Sequence, residues 1–550
     1  MKNTLSILRW LWQISKPCRP QSCINALLGV FIVGVDFAFI YATKLAIDIA
    51  TGRNVEMTLT MAGVMLVVVI LLQIGTSFAR RWVGAILGVK SQNVMQLRLF
   101  RRVLECEWSG LEKRHSGDVL NRLERDVRDV TSVVTDTAPA ALGTSVRLIG
   151  AFFFLYSMDQ MLACIVVVIL PLFILLSRLY VRKMRRLTRE IRQTDSQIQS
   201  ILTESVQHRV VLKTLERTDH MAGRLDGAQQ ILRRQIRHKT IFSSFSATLL
   251  SMGFATGYLV TFLWGVFRLQ DGTITYGMMI AFIQLVGQIQ GPFRELTKFV
   301  PVIIGAFTAG ERLMELEEVP LEAKGENVCF PHGAGIRIED VEYAYDIKKR
   351  HIIQHLSFDF PLGSSTAIMG ETGAGKTTLI RLILSLLRPQ SGRVMIYDEE
   401  RSVEASPLTR CNLVYVPQGN TLFSGTVRDN LLMGDRNADE RRMREALHIA
   451  AADFVFDLPG GLDTICSEAG GGLSEGQAQR IAVARGLLRP GSILLLDEFT
   501  SALDPQTENL MLSRLTAKDG ICADKTMIFI THRDSILNYC DSELQLEHLS

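Results

Sequence analysis

The chain has 550 residues, 47% of them hydrophobic, with 60 Lys and Arg against 56 Asp and Glu and a formal net charge of +4. That length exceeds one ordinary domain, and a mean hydropathy of +0.19 is high for a purely soluble protein, so a membrane portion is expected. The small net charge gives no case for a nucleic-acid partner, and nine cysteines without CxxC or zinc spacing give little case for disulfides or metal and fit a reducing cytosol.

Residues 1–20 lack the shape of a signal peptide, because Arg9 interrupts the apolar stretch and no small-residue cleavage site follows. Leu5, Leu8 and Trp12 share one helical face, and Trp10 and Trp12 suit a headgroup layer, which predicts a short interfacial helix. Six hydrophobic segments follow over 21–315, at about 22–46, 59–79, 138–156, 161–179, 242–267 and 276–293, each near the roughly 20 residues that cross a bilayer. Their connections alternate between brief ones and two long basic ones, 80–134 and 180–239, the second carrying Arg182, Lys183, Arg185, Arg186, Arg189 and Arg192. The positive-inside rule then puts both long connections and both termini in the cytoplasm of an inner-membrane, multi-pass protein. Apolar residues recur at helical spacing in those connections, so the spans are expected to continue as helices beyond the bilayer.

Asp36 and Arg147 lie well inside predicted spans, where an ionisable group is costly unless paired or hydrated; a mutual ion pair and a water-filled cavity both satisfy that. Gln284 and Gln288 sit one turn apart on the last span, with Gln290 and Pro292 following, so one face of it is polar. That face serves either helix–helix hydrogen bonds or substrate.

A polar linker over 316–334 leads to a cytosolic α/β half, 335–550. Strand-like runs at 336–345 and 352–360 precede a short strand that ends in Gly370-Glu371-Thr372-Gly373-Ala374-Gly375-Lys376-Thr377-Thr378. With a helix predicted over 376–387, this is the strand–loop–helix context of a phosphate-binding P-loop. Its glycines free backbone N–H groups to close on phosphate oxygens, Lys376 adds a charge on the β and γ phosphates, and the Thr377 hydroxyl is placed for Mg2+. Further strands are expected at 393–397 and 413–416 and a helix at 439–454, while 492–496 and 526–530 read as buried parallel strands. The second-last of these runs ends in Asp497, placed to hold Mg2+, and Glu498, placed to polarise a water. Ser474-Glu475-Gly476-Gln477 has the S-x-x-Q form of a capping box opening a helix, whose N-terminus attracts phosphate. His532, just past the last of these strands, is in reach of a γ-phosphate.

As a set these motifs resemble the ABC transporter superfamily, and the whole chain is similar to a half-size exporter, a six-helix all-α transmembrane domain joined to an ABC-type α/β P-loop NTPase domain. By that resemblance Tyr345 stacks on adenine, Gln418 is the Q-loop residue and a Mg2+ ligand, and 473–477 is the signature motif. Ser501-Ala502-Leu503-Asp504 is the D-loop and His532 the switch histidine. The resemblance implies that two nucleotide domains sandwich ATP, so a second half-transporter is expected, identical or related. It also implies coupling helices at 115–118 and 204–215, and an exit from the last span at 309–313. Glu498, His532 and Lys376 carry catalysis, and the implied function is ATP-driven export or flipping of an amphipathic lipid, drug or peptide. The alternatives are an ATP-gated channel or regulator and a weakly catalytic partner in a mixed pair. Two departures stand out. Glu475 replaces the first glycine of the usual LSGGQ signature, and only 18 residues follow His532, so an additional C-terminal dimer contact is expected to be absent, as is an N-terminal peptidase-like segment.

Overall fold

The computed structural model describes residues 4–53, 57–112, 116–345, 351–466, 472–518, 520 and 522–547. The chain divides into two compact units, one of Met1–Arg101 with Ser116–Glu317, the other of Arg102–His115 with Glu318–Ser550.

The first unit is helical. Arg19–Ala50, Leu59–Glu105, Gly117–Met158 and Thr218–Gln270 are each long and apolar enough to cross a membrane. Gln160–Gln207 and Tyr276–Glu317 are comparably long helices, and most run far beyond the roughly 20 residues a bilayer needs. A single residue, Asp159, turns the chain between Met158 and Gln160. Its extended backbone and an Oδ1 that accepts from the Leu162 N–H at 2.9 Å cap the next helix. The helices pack around Ile40, Leu155, Leu162, Phe282, Leu285 and Ile289. Gly29 and Gly143 face each other where two of them pass, a Cβ at Gly143 making an ordinary contact at 3.5 Å with the Gly29 carbonyl oxygen.

The two ionisable groups expected inside the spans meet each other. Arg147 reaches Asp36 at 3.0 Å, and Gln73 donates from Nε2 to the other Asp36 oxygen at 2.7 Å. Of the two ways to accommodate Asp36 and Arg147, the structure takes the ion pair. Gln290 donates to the Phe254 carbonyl at 3.1 Å, so it joins two helices, while Gln284 and Gln288 remain half-buried.

One expectation for this unit is corrected. Trp10 is not presented outward: it is buried and donates from Nε1 to Glu317 at 2.7 Å, with Ile7 buried beside it, whereas Leu5, Leu8 and Trp12 face outward. The helix of the 138–156 span continues past it, as expected of the long connections, back to Ser116 through two wider, π-type turns, Arg122–Asp126 and Val133–Thr137. Its charges are met in part by partners remote in the chain. Arg122 pairs with Asp118 and Glu315, each at 2.9 Å, and Asp126 with Arg312 at 2.6 Å.

The second unit holds β1 (Gly335–Tyr343), β2 (Ile353–Phe360), β3 (Ser365–Gly370), β4 (Ser391–Tyr397), β5 (Ser402–Glu404), β6 (Leu413–Val416), β7 (Gly425–Thr426), β8 (Ile465–Cys466), β9 (Ile493–Asp497), β10 (Thr526–Ile530) and β11 (Ser542–Leu546). An antiparallel sheet runs β2-β1-β4-β5, and a parallel sheet runs β11-β3-β10-β9-β6. Every residue of β9 and β10 is buried, which is why their sequences are unbroken apolar runs rather than alternating ones. Phe360, Ile368, Leu379, Ile383 and Ile396 share one core cluster.

The P-loop helix stops at Ile383, four residues short of expectation. Ser385 takes a left-handed φ of +51°, and the Leu386 and Leu387 N–H groups both turn back to the Arg381 carbonyl. The helix expected over 439–454 likewise ends at Ile449, before Ala451 at φ +51°. In the first long connection the helix Trp108–Glu112 belongs to this second unit, tied by Glu112 to Arg381 at 2.5 Å and by Glu107 to Arg388 at 2.8 Å. Of the expected coupling segment 115–118, His115 lies outside the described residues and Ser116 opens a helix of the first unit.

Candidate nucleotide site at the strand ends

The carboxyl ends of parallel strands β3, β6, β9 and β10 bring together residues from four distant stretches of chain. The P-loop leaves β3 with Gly370 at φ +146° and enters its helix at Gly375 with φ +97°. Neither position tolerates a side chain, because a Cβ would sit 2.5 Å from the Leu546 carbonyl at Gly370 and 2.9 Å from Ile352 Cγ2 at Gly375. Glu371, Thr372, Gly373 and Thr377 are exposed, while Ala374 and Thr378 are buried and anchor the loop. The Lys376 ammonium donates to the Gly370 and Glu371 carbonyls, so the lysine lies back along its own loop.

Asp497 closes β9, and Glu498 follows at φ +44°, a left-handed conformation that a glutamate adopts only under constraint. The constraint is visible. Its N–H donates to the Ile530 carbonyl at 2.9 Å, and its carbonyl accepts from Gln479 Nε2 at 3.0 Å. The side chain is thereby delivered to Gln418, whose Nε2 donates to Oε2 at 2.5 Å, and to His532, whose Nδ1 stands 3.6 Å from Oε1. Asp497 is buried and accepts from the Tyr415 hydroxyl at 3.1 Å. Burial raises its carboxyl above the ordinary range, against the Tyr415 hydrogen bond and the nearby Lys376 charge. The same carboxylate and its own burial hold the Tyr415 phenol protonated.

Tyr345 lies beside the P-loop helix, its hydroxyl 3.5 Å from Thr378 Oγ1 and accepting from Arg381 at 2.9 Å. Its ring packs edge-on against Tyr343, centroids 5.2 Å apart, and burial pushes the Tyr343 phenol up to about 12. The ring is 38% exposed, enough to receive a planar base.

The predicted capping box is formed: Ser474 Oγ accepts from the Gln477 N–H at 3.2 Å, and Gln477 Oε1 accepts from the Ser474 N–H at 2.9 Å. Glu475 is the first helical residue and points into solvent. Gly476 is demanded by the neighbouring loop, since a Cβ would lie 2.7 Å from the Ala502 carbonyl. Among the described residues no hydrogen bond joins 474–477 to the P-loop.

Sequence reasoning missed Tyr415, Gln479 and the Arg381–Glu112 pair. Gln479 had a signal, a polar residue on a helix face otherwise made of Ala478, Ile481 and Ala482, and it is fully buried. The hydroxyl, amide and carboxylate oxygens of Thr377, Gln418 and Asp497 are the hard donors that suit Mg2+, and the Gln418 amide nitrogen is already engaged by Glu498.

A P-loop on a mixed α/β domain, fused to long apolar helices, defines a membrane protein that binds ATP and couples its hydrolysis to transport. Residues 22–293 match the ABC transporter transmembrane region and residues 353–501 the ABC transporter nucleotide domain. An uncharacterized ABC transporter ATP-binding protein of Sinorhizobium fredii is 31% identical, with 82% of this chain and 77% of that protein covered. An ATP-dependent lipid A-core flippase of Chromohalobacter salexigens is 28% identical over 86% of this chain and 82% of its own. The fold is also that of a bacterial Atm1-family ABC exporter solved with ATP bound, at a TM-score of 0.78, 22% identity, and coverage of 97% and 94%. The chain belongs to the ABC transporter family.

Proposed function

We propose that this chain is half of an ATP-driven exporter or flippase for amphiphiles with an acidic headgroup, working in a pair of half-transporters with both termini cytoplasmic. One observation carries the hydrolytic part: Glu498, held in a left-handed conformation, meets Gln418 and His532 beside the P-loop. In this reading one carboxylate oxygen of Glu498 accepts the proton of the attacking water, Gln418 and His532 orient that carboxylate, and Lys376 swings from its loop carbonyls to the phosphates. Thr377, Gln418 and Asp497 would hold Mg2+, which supplies charge neutralisation of the phosphates.

The pairing is supported by what one chain leaves unused. Ser474 and Gln477 present a capped helix N-terminus with no partner from the P-loop of the same chain, so the γ-phosphate is closed over by the signature of the other half. At the far end of the helices Gln160–Gln207 and Thr218–Gln270, Val206, Val210, Val211 and Leu215 are all at least half exposed, an apolar tip suited to the other half's nucleotide unit.

The substrate class rests on a cavity of about 450 Å³ lined by Gly29, Arg80, Thr144, Arg147, Glu295 and Lys298. With Arg147 already paired to Asp36, Arg80 and Lys298 still outnumber Glu295, and both lie just past the expected ends of their spans, at headgroup depth. ATP hydrolysis in lipid discs tests the reading. An anionic amphiphile is expected to stimulate it, and Arg80→Ala with Lys298→Ala to abolish stimulation while leaving the basal rate. Equal stimulation by a neutral amphiphile in the variant would refute the acidic-headgroup assignment.

A further inference from the structure

Cys329 and Cys411 are 82 residues apart in sequence, yet their sulfurs stand 3.0 Å apart. The backbone on both sides is already pinned. The Val328 N–H donates to the Leu408 carbonyl at 3.0 Å, Asn412 Nδ2 donates to the Val328 carbonyl at 2.7 Å, and the Phe330 N–H donates to Asn412 Oδ1 at 2.8 Å. An approach of about 1 Å brings the two sulfurs to bonding distance. The other described cysteines have no such neighbour recorded: Cys466 and Cys522 are buried and Cys540 bonds only the Ile536 carbonyl.

We propose that Cys329 and Cys411 are a reversible dithiol site that reacts with low-molecular-weight disulfides of the glutathione type. Cys329 is exposed and attacks first. Its thiolate sulfur displaces one sulfur of the small disulfide, forming a mixed disulfide and releasing one thiolate. The Cys411 sulfur then attacks the Cys329 sulfur, releasing the second thiolate, and the two protons of the protein thiols end on the two released molecules. The protein loses two electrons and the small disulfide gains them. Burial and the adjacent Cys329 sulfur push the Cys411 thiol up to about 11, so Cys411 waits protonated until the first step has happened.

The bond fastens a segment that is already gripped. Arg410, next to Cys411, forks onto Glu322 at 2.6 and 2.8 Å, and the turn Pro407–Asn412 leads straight into β6 and Gln418. Because the geometry is preformed, oxidation is expected to raise thermal stability and leave hydrolysis within about twofold.

The test uses the full-length protein in detergent, treated with oxidised glutathione, alkylated and mapped by peptide mass spectrometry. The expected result is a Cys329–Cys411 cross-linked peptide that dithiothreitol removes, with a melting midpoint several degrees higher. Cys411→Ser is expected to trap glutathione on Cys329 and to show no rise. Wild-type protein that carries glutathione on Cys329 while Cys411 remains alkylatable would overturn the pairing. A cross-link that forms without moving the midpoint would overturn the stabilising role.

Discussion

Asp36 in the helical unit and Glu498 in the nucleotide unit are handled in opposite ways. In the first, Asp36 is satisfied by Arg147 and Gln73, and Arg122 by Asp118 and Glu315, side chain to side chain. In the second, Glu498 is braced by a neutral amide and an imidazole, and the backbone supplies the constraint. A charge that only has to exist inside a membrane unit is neutralised. A charge that has to act is positioned and left available.

The largest effect that sharpens this contrast is expected from Glu498→Gln. Phosphate release should fall by about 100- to 10,000-fold, the range of a general base, with nucleotide binding preserved. Undiminished release would break the assignment. Lys376→Ala should instead weaken nucleotide binding itself, read by equilibrium titration. In the helical unit Arg147→Ala strands Asp36 and should cost about 3 kcal/mol of stability. Adding Asp36→Asn should restore most of it in detergent-unfolding curves, and strictly additive losses would show that the two do not act as a pair. Gly476→Ala forces a Cβ against the Ala502 carbonyl and should cost about 1–3 kcal/mol locally, slowing hydrolysis more than binding.

The smallest effect concerns His355, exposed between Asp340 at 2.8 Å and Glu342 at 2.9 Å. Its hydrogen bond to Asp340, then the Glu342 charge, raise its ionisation above the usual imidazole value. The contribution of the protonated ring is therefore complete below that usual value and is lost as pH rises through the raised one. His355→Asn should flatten that part of the melting profile of the nucleotide unit. A profile unchanged by the substitution would remove His355 from the account.

Legibility in the sequence followed how local each cause is. The P-loop, the capping box at Ser474 and the buried strands ending at Asp497 and Ile530 are written in consecutive residues, and the structure forms them where the spacing requires. Trp10 was misplaced because its partner, Glu317, is 307 residues away. The continuation of the helix back to Ser116 was legible, but the partners of Arg122 and Asp126 were not, because Glu315 and Arg312 are remote in the chain. The left-handed backbone of Glu498 leaves no mark in residue type, since it is imposed by hydrogen bonds to Ile530 and Gln479.

The two wide turns at Arg122–Asp126 and Val133–Thr137 have an angular consequence. An α-helix advances about 100° per residue, and each widened turn accommodates about one residue more, so everything beyond it is rotated relative to everything before. Arg122 opens the first turn and Arg147 lies beyond the second. The phase between the two arginine anchors is thus a property of the turns, and excising one residue from either would aim one guanidinium away from its carboxylate while leaving every residue type in place.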